Sequence, residues 1–116
     1  MTHCRNMELW WAELPTVPGS HVQHGHRPVV VVSNDFANAN SPVVTVVPLT
    51  SKTHKVTLPT HVLLCGYGLN CNSIATCEQV MALDKSRMTR RFGQVTGWFD
   101  QLAIRHALTV QLNLTA

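Results

Sequence analysis

Over most of the chain the apolar residues come in short β-branched blocks rather than at helical spacing. Leu9-Trp10-Trp11-Ala12-Glu13-Leu14 is a compact run that stops at Pro15, and Arg27-Pro28-Val29-Val30-Val31-Val32-Ser33 sets four valines in succession. A second branch on Cβ suits a pleated surface and crowds a helix, so both blocks read as strands, the valine run as one covered on both faces. Pro42-Val43-Val44-Thr45-Val46-Val47-Pro48-Leu49-Thr50 is another, bracketed by prolines, and it delivers Thr50 to the turn beyond its end. Val56 to Leu64 is a further candidate, with Pro59 confining it to a sheet edge or a bulge. Ser73 to Met81 reads as one continuous strand and Phe92 to Val95 as a short last one. Between these runs, the stretch from Pro15 to Arg27 is rich in Pro, Gly, Ser and His, and Gly66-Tyr67-Gly68-Leu69-Asn70 is turn chemistry. Phe36 to Asn40 has room for a single helical turn capped by Ser33, Asn34 or Asp35.

The tail follows a different period. From Thr96 to Leu114 the residues Phe99, Leu102, Ala103, His106, Ala107 and Val110 recur every three or four positions, which predicts an amphipathic helix with that stripe as its apolar face. Thr96 is the expected N-cap, and Asp100 sets negative charge in the first turns, where the helix dipole favours it. The simplest assembly is a mainly β, β+α fold: a curled antiparallel sheet closing toward a small barrel, with one C-terminal helix packed on it. At 116 residues the chain suits a single domain, 1–116, around one core.

Composition sharpens this picture in two places. Charged residues make up only 13%, about half the roughly 25% usual for a soluble domain. Much of the surface is therefore uncharged, as a face covered by a partner would be. The formal charge is +3, and Lys85, Arg87, Arg90 and Arg91 fall close together, a bias toward anionic partners that a plain solvated loop would also show. No run approaches the ~18 apolar residues of a membrane span, and Met1-Thr2-His3-Cys4-Arg5 lacks the apolar core of a signal peptide. A cytoplasmic location with no membrane partner is expected, and with it reduced thiols at Cys4, Cys65, Cys71 and Cys77.

The chemistry-bearing residues allow several readings. Cys65, Cys71 and Cys77 are evenly spaced, but six residues apart rather than the two to four of a zinc knuckle, so small buried thiols are expected instead of a metal site. Neither a metal nor another cofactor is expected. His21, His24 and His26 crowd one loop and could supply an acid and a base for RNA cleavage, or simply face solvent. There is no G-x-S-x-G elbow, P-loop or G-x-G-x-x-G run, which removes the common hydrolase and nucleotide-binding signatures. If Trp10 and Trp11 sit on opposite faces of a strand, one belongs to the core and the other is placed to stack on a base or join a subunit interface.

Six blocks, in order, resemble the MazF/PemK family of toxin endoribonucleases: Glu8 to Leu14, Gly25 to Asp35, Asn40-Ser41-Pro42, Pro48-Leu49-Thr50-Ser51, Leu58 to Val62, and Cys77-Glu78-Gln79-Val80 with Leu83 to Arg87. The resemblance implies an SH3-like barrel with a C-terminal helix, a homodimer, and cleavage of single-stranded RNA in a groove at the subunit boundary. It further implies a cognate protein antitoxin. By position, the catalytic pair is Arg27 and Thr50, and the RNA contacts are Ser20, Gln23, Ser51, Glu78 and Gln79. Attack of a 2′-hydroxyl on the neighbouring phosphorus builds negative charge on phosphoryl oxygens, which a guanidinium fork and a hydroxyl are suited to hold. Two departures stand out: Gly19-Ser20-His21-Val22-Gln23 lacks the family's Glu, and Met81 stands where an Arg is common. The competing functions are a gyrase poison like CcdB, whose aromatic C-terminal tip is missing here, and a non-catalytic barrel that binds RNA or an antitoxin.

Overall fold

The computed structural model describes residues 2–53 and 58–114. The strands are β1 (Glu8–Leu14), β2 (Gly25–Val31), β3 (Val43–Thr50), β4 (His61–Leu64), β5 (Ser73–Thr76), β6 (Met81–Asp84) and β7 (Met88–Gln94). The helices are α1 (Asp35–Asn40) and α2 (Trp98–Leu112). Every pairing is antiparallel, in the order β4-β5-β3-β2-β1-β7, with β6 also laid on β3. The expected mainly β fold with a C-terminal helix is therefore what forms. Among the described residues no ladder joins β7 to β4, so the curled sheet stays open.

The valine run is the centre of the sheet, as its composition predicts. Val29, Val30 and Val31 are each fully buried because β2 carries a separate apolar cluster on each face. Val30 packs with Leu9, Val47, Leu49 and Leu64 beneath α2, while Val29 and Val31 pack with Trp10, Ala12, Val44, Val46 and Met88 on the other side. Burying one such side chain contributes about 1.5–3 kcal/mol. Asn34 caps α1, its side chain accepting from the Ala37 N–H at 2.8 Å.

Several expectations are corrected. The run Ser73 to Met81 is not one strand: a 3-10 turn at Cys77–Gln79 separates β5 from β6. The break has a long-range cause, since the Thr76 hydroxyl donates to the Pro48 carbonyl at 2.8 Å and the Cys77 N–H to the Thr60 carbonyl at 3.0 Å, bending the chain back. The last strand is longer than Phe92 to Val95 and starts at Met88, so Arg90 and Arg91 lie in a strand rather than a loop. Of the Val56–Leu64 candidate, Val56 and Thr57 lie outside the described residues, Leu58–Thr60 is turn, and only His61–Leu64 is strand.

The helix is rotated from the expected stripe. Its buried residues are Ile104 and Ala107, whereas Phe99 is 70% exposed and Leu102 53%. Both sides of this helix are apolar, so periodicity alone did not fix which would meet the sheet. Gly97, not Thr96, occupies the N-cap position, without a side-chain cap. No helix among the described residues is long and apolar enough to cross a membrane.

Candidate active site

The β2–β3 ladder pairs Val31 with Val46, Val30 with Val47 and Val29 with Pro48, and its pairing stops there. Proline offers no N–H to a ladder, and Pro28 and Pro48 bracket the place where it ends. Arg27 and Thr50 lie two residues beyond that last pair on their own strands, where Thr50 has turned to pair with β5. Side chains alternate along a strand, so Arg27 points to one face of β2 and its neighbours His26 and Pro28 to the other. Thr50 is nearly buried, pairs with Ile74 of β5, and its hydroxyl oxygen accepts from the Lys52 N–H at 3.3 Å. Arg27 is half-buried, and its Nε donates to the His24 carbonyl at 2.8 Å. Among the described residues its terminal guanidinium nitrogens have no protein acceptor.

The opposite face carries a second arrangement. β1 and β2 set Trp11 against Pro28 and Glu13 against His26. The His26 and Trp11 rings stack with centroids 5.0 Å apart and planes 6° from parallel, and His26 Nδ1 meets Glu13 Oε1 at 2.8 Å. Phe92 of β7 leans on Trp11 at 5.6 Å. Here the chain encloses a cavity of about 160 Å³, lined by Trp11, His26, Pro28, Leu49 and Phe92 and by the polar Ser51, Asn70 and Ser73, and reached by Arg27. Thr50 lies between two lining residues without lining the cavity itself. A more open pocket of about 500 Å³ at Thr2, Ala39–Pro42 and Asp84–Ser86 is larger, but it holds none of the candidate site residues.

The remaining candidates scatter. Gln23 and Gln79 come together, the Gln23 N–H donating to Gln79 Oε1 at 2.7 Å, which ties the loop before β2 to the Cys77–Gln79 turn. Ser20 is exposed and its hydroxyl oxygen accepts from the Val22 N–H at 3.1 Å. Glu78 is occupied by the protein: Oε1 accepts from the Thr60 hydroxyl at 3.0 Å, and Oε2 meets His61 Nε2 at 2.8 Å. It acts here as a tether between the turn and β4. The cysteines divide, Cys4 and Cys77 buried, Cys65 and Cys71 exposed, so the expectation of buried thiols holds for Cys77 and fails for Cys65 and Cys71. As the doublet implies, Trp10 turns into the core while Trp11 faces the cavity.

Sequence reasoning missed Asn70 and Phe92 at the cavity, Glu13 behind His26, and Glu8. Glu13 is found once β1 and β2 are paired, because it falls opposite His26. Glu8 is a buried carboxylate satisfied from three sides: Arg91 Nε at 2.7 Å, Trp10 Nε1 at 3.1 Å and the Arg5 N–H at 2.7 Å.

An open, curled antiparallel sheet with a C-terminal helix defines a small β+α domain, and Arg27 borders the cavity at the end of its central strand. The chain belongs to the family described as PemK-like, MazF-like toxin of type II toxin-antitoxin system, which matches residues 5–108. It is 39% identical over 109 residues to Endoribonuclease EndoA of Bacillus subtilis, covering 92% of this chain and 90% of that protein. Its fold is that of MazF from Deinococcus radiodurans, with a TM-score of 0.81, 21% identity, and coverage of 97% of this chain and 99% of that one. A mycobacterial endoribonuclease solved in complex with its cognate antitoxin has the same fold, with a TM-score of 0.79, 22% identity, and coverage of 97% and 98%.

Proposed function

We propose that this chain is the toxin endoribonuclease of a toxin–antitoxin pair, that it cleaves single-stranded RNA at preferred sequences without a metal, and that Arg27 and Thr50 carry the reaction. Family membership and the extended likeness to the Bacillus endoribonuclease support the activity. What supports the site is the position of Arg27 and Thr50 just past the last β2–β3 pair, Val29 with Pro48, at the end of the ladder. The 2′-oxygen bonds to phosphorus, the 5′-oxygen leaves, and the products are a cyclic phosphate and a 5′-hydroxyl. Arg27 holds two phosphoryl oxygens through parallel hydrogen bonds, and its charge persists at any working pH. The Thr50 hydroxyl, with Ser51 beside it, donates to the same phosphate. Removing one preorganised donor of this kind costs on the order of a hundred- to a thousand-fold in rate.

The protein works in the cytoplasm as a homodimer and is held inactive by an acidic antitoxin segment that competes for the same cationic rim. The mycobacterial relative crystallised with its antitoxin supports such a partner. Ser20, Gln23, Ser51 and Gln79 line the RNA path; Glu78, already bonded to Thr60 and His61, orders the turn that presents Gln79. The test is cleavage of a long RNA in EDTA with sequencing of the fragment ends. Cuts with cyclic-phosphate ends are expected, abolished when the scissile ribose lacks its 2′-hydroxyl and nearly abolished in Arg27→Ala and Thr50→Ala. Undiminished cleavage in both folded variants refutes the assignment.

A further inference from the structure

The cavity behind Arg27 has a role that phosphate chemistry does not explain. Its wall is aromatic: Trp11, His26 and Phe92 contribute ring surface, and Pro28 and Leu49 add apolar surface beside them. The rings are held in place rather than loose. His26 is fixed at once by the Trp11 stack and the Glu13 carboxylate, and Phe92 leans on Trp11 at a tilt. Across the opening, the loop between β4 and β5 brings Asn70 to the same space. An amide beside a flat aromatic wall offers one donor and one acceptor in a plane, the pattern that a heterocyclic base presents on its own edge.

We propose that this cavity is a slot for one nucleobase of the RNA, the base of a nucleotide adjoining the phosphate held by Arg27, with Trp11, His26 and Phe92 supplying the apolar wall and Asn70 reading the base edge. The slot rests on the ribonuclease reading above and deepens it, because it names where sequence preference arises. Its geometry suits that division of labour. Strand alternation sends Arg27 and the Trp11–His26 set to opposite faces of β2, while Arg27 still borders the cavity. A backbone crossing the rim keeps its phosphate on the guanidinium and turns one base inward. A peptide side chain is the competing occupant, but a guanidinium with open terminal nitrogens at the mouth favours a ligand whose phosphate sits one nucleotide from an aromatic ring. A base stacked on protein aromatics is sequence-tolerant by itself, so the discrimination is assigned to Asn70.

The test uses the full-length protein and short RNAs around its mapped cleavage site, each lacking one base but retaining the ribose and phosphate. At one position next to the scissile phosphate, loss of the base is expected to raise KM by about five- to a hundredfold, the range for one stacked base, with a smaller change in kcat. In His26→Ala that penalty should largely vanish. In Asn70→Ala the fragment-end sequences should broaden at that one position, while the 2′-hydroxyl requirement stays. Both side chains are exposed, so folding is expected to survive, and a thermal melt checks it. If the wild-type protein cuts RNA but neither variant alters KM for the base-free substrates nor the end sequences, the slot is refuted and the nuclease reading stands. If the variants lose binding of an antitoxin peptide and nothing else, the cavity takes a peptide side chain and the slot is again refuted. A wild-type protein that cuts no RNA overturns both.

Discussion

Gly93→Ala is the change for which the structure yields the sharpest number. Gly93 lies in β7 opposite Leu9, where the backbone of the Gly66–Leu69 turn passes directly over it. A Cβ at this position would sit 3.1 Å from the Tyr67 carbonyl carbon and closer still to its oxygen, where real side chains are not found. The obstacle is backbone, so it does not rotate aside. Overpacking of this kind costs about 1–3 kcal/mol, and the upper part of that range applies. Shifting Tyr67 also weakens the bond its hydroxyl donates to Asp100 Oδ2 at 2.6 Å, which fastens the turn to the start of α2. That bond contributes about 1 kcal/mol at a partly exposed site. Against this, replacing glycine reduces the freedom of the unfolded chain and returns about 0.4–1 kcal/mol. The balance is a loss of about 2–3 kcal/mol. With an unfolding entropy of about 2.1 cal/mol/K per residue, a chain of 116 residues loses about 8–12 °C in Tm. Calorimetry reads this directly. Gly97→Ala is the internal comparison: its Cβ would lie 2.5 Å from the Tyr67 hydroxyl oxygen, the far end of a side chain that swings away. Its expected loss is at most about 0.6 kcal/mol, the Tyr67–Asp100 bond of about 1 kcal/mol less the same ~0.4–1 kcal/mol gained by replacing glycine. A Gly93→Ala protein that melts within about 2 °C of the wild type, or above Gly97→Ala, would refute this account of the turn.

Two further outcomes follow from burial. Ile104→Ala should destabilise by about 2–5 kcal/mol by opening a cavity beneath α2, whereas Leu102→Ala, one turn face away, should stay within about 0.5 kcal/mol; chemical denaturation of the two variants compares them, and the reverse order would mean that the helix is rotated. Burial, with Glu78 adding its charge, pushes the Cys77 thiol up to about 12, and burial with Glu8 pushes Cys4 up to about 11. The thiolate is the reactive form, so at pH 8 a thiol reagent should label Cys65 and Cys71 quickly and Cys4 and Cys77 only on unfolding. Four thiols reacting at one rate in the native protein would contradict that partition.

Local chemistry settled much of this protein before any tertiary contact was considered. β-branched runs between prolines have few alternatives to strands, and the valine block, with no polar residue among its four, demanded cover on both faces. The tryptophan doublet divided itself between core and surface for the same reason, because neighbours on a strand point to opposite sides. Arg27 and Thr50 stand out as candidates through their residue types and the blocks around them. What the chain could not disclose is whatever depends on a partner far away in sequence. The Cys77–Gln79 turn interrupts an extended-looking run because Thr76, Cys77 and Glu78 bond to Pro48, Thr60 and His61. The face that α2 buries was decided by its packing in the tertiary structure, since Ile104 and Leu102 are equally apolar and only one of them meets Leu64 and Val95 in the core. Glu13 met His26 only when β1 and β2 paired in their register, a relation that a one-residue slip would have sent to the other face.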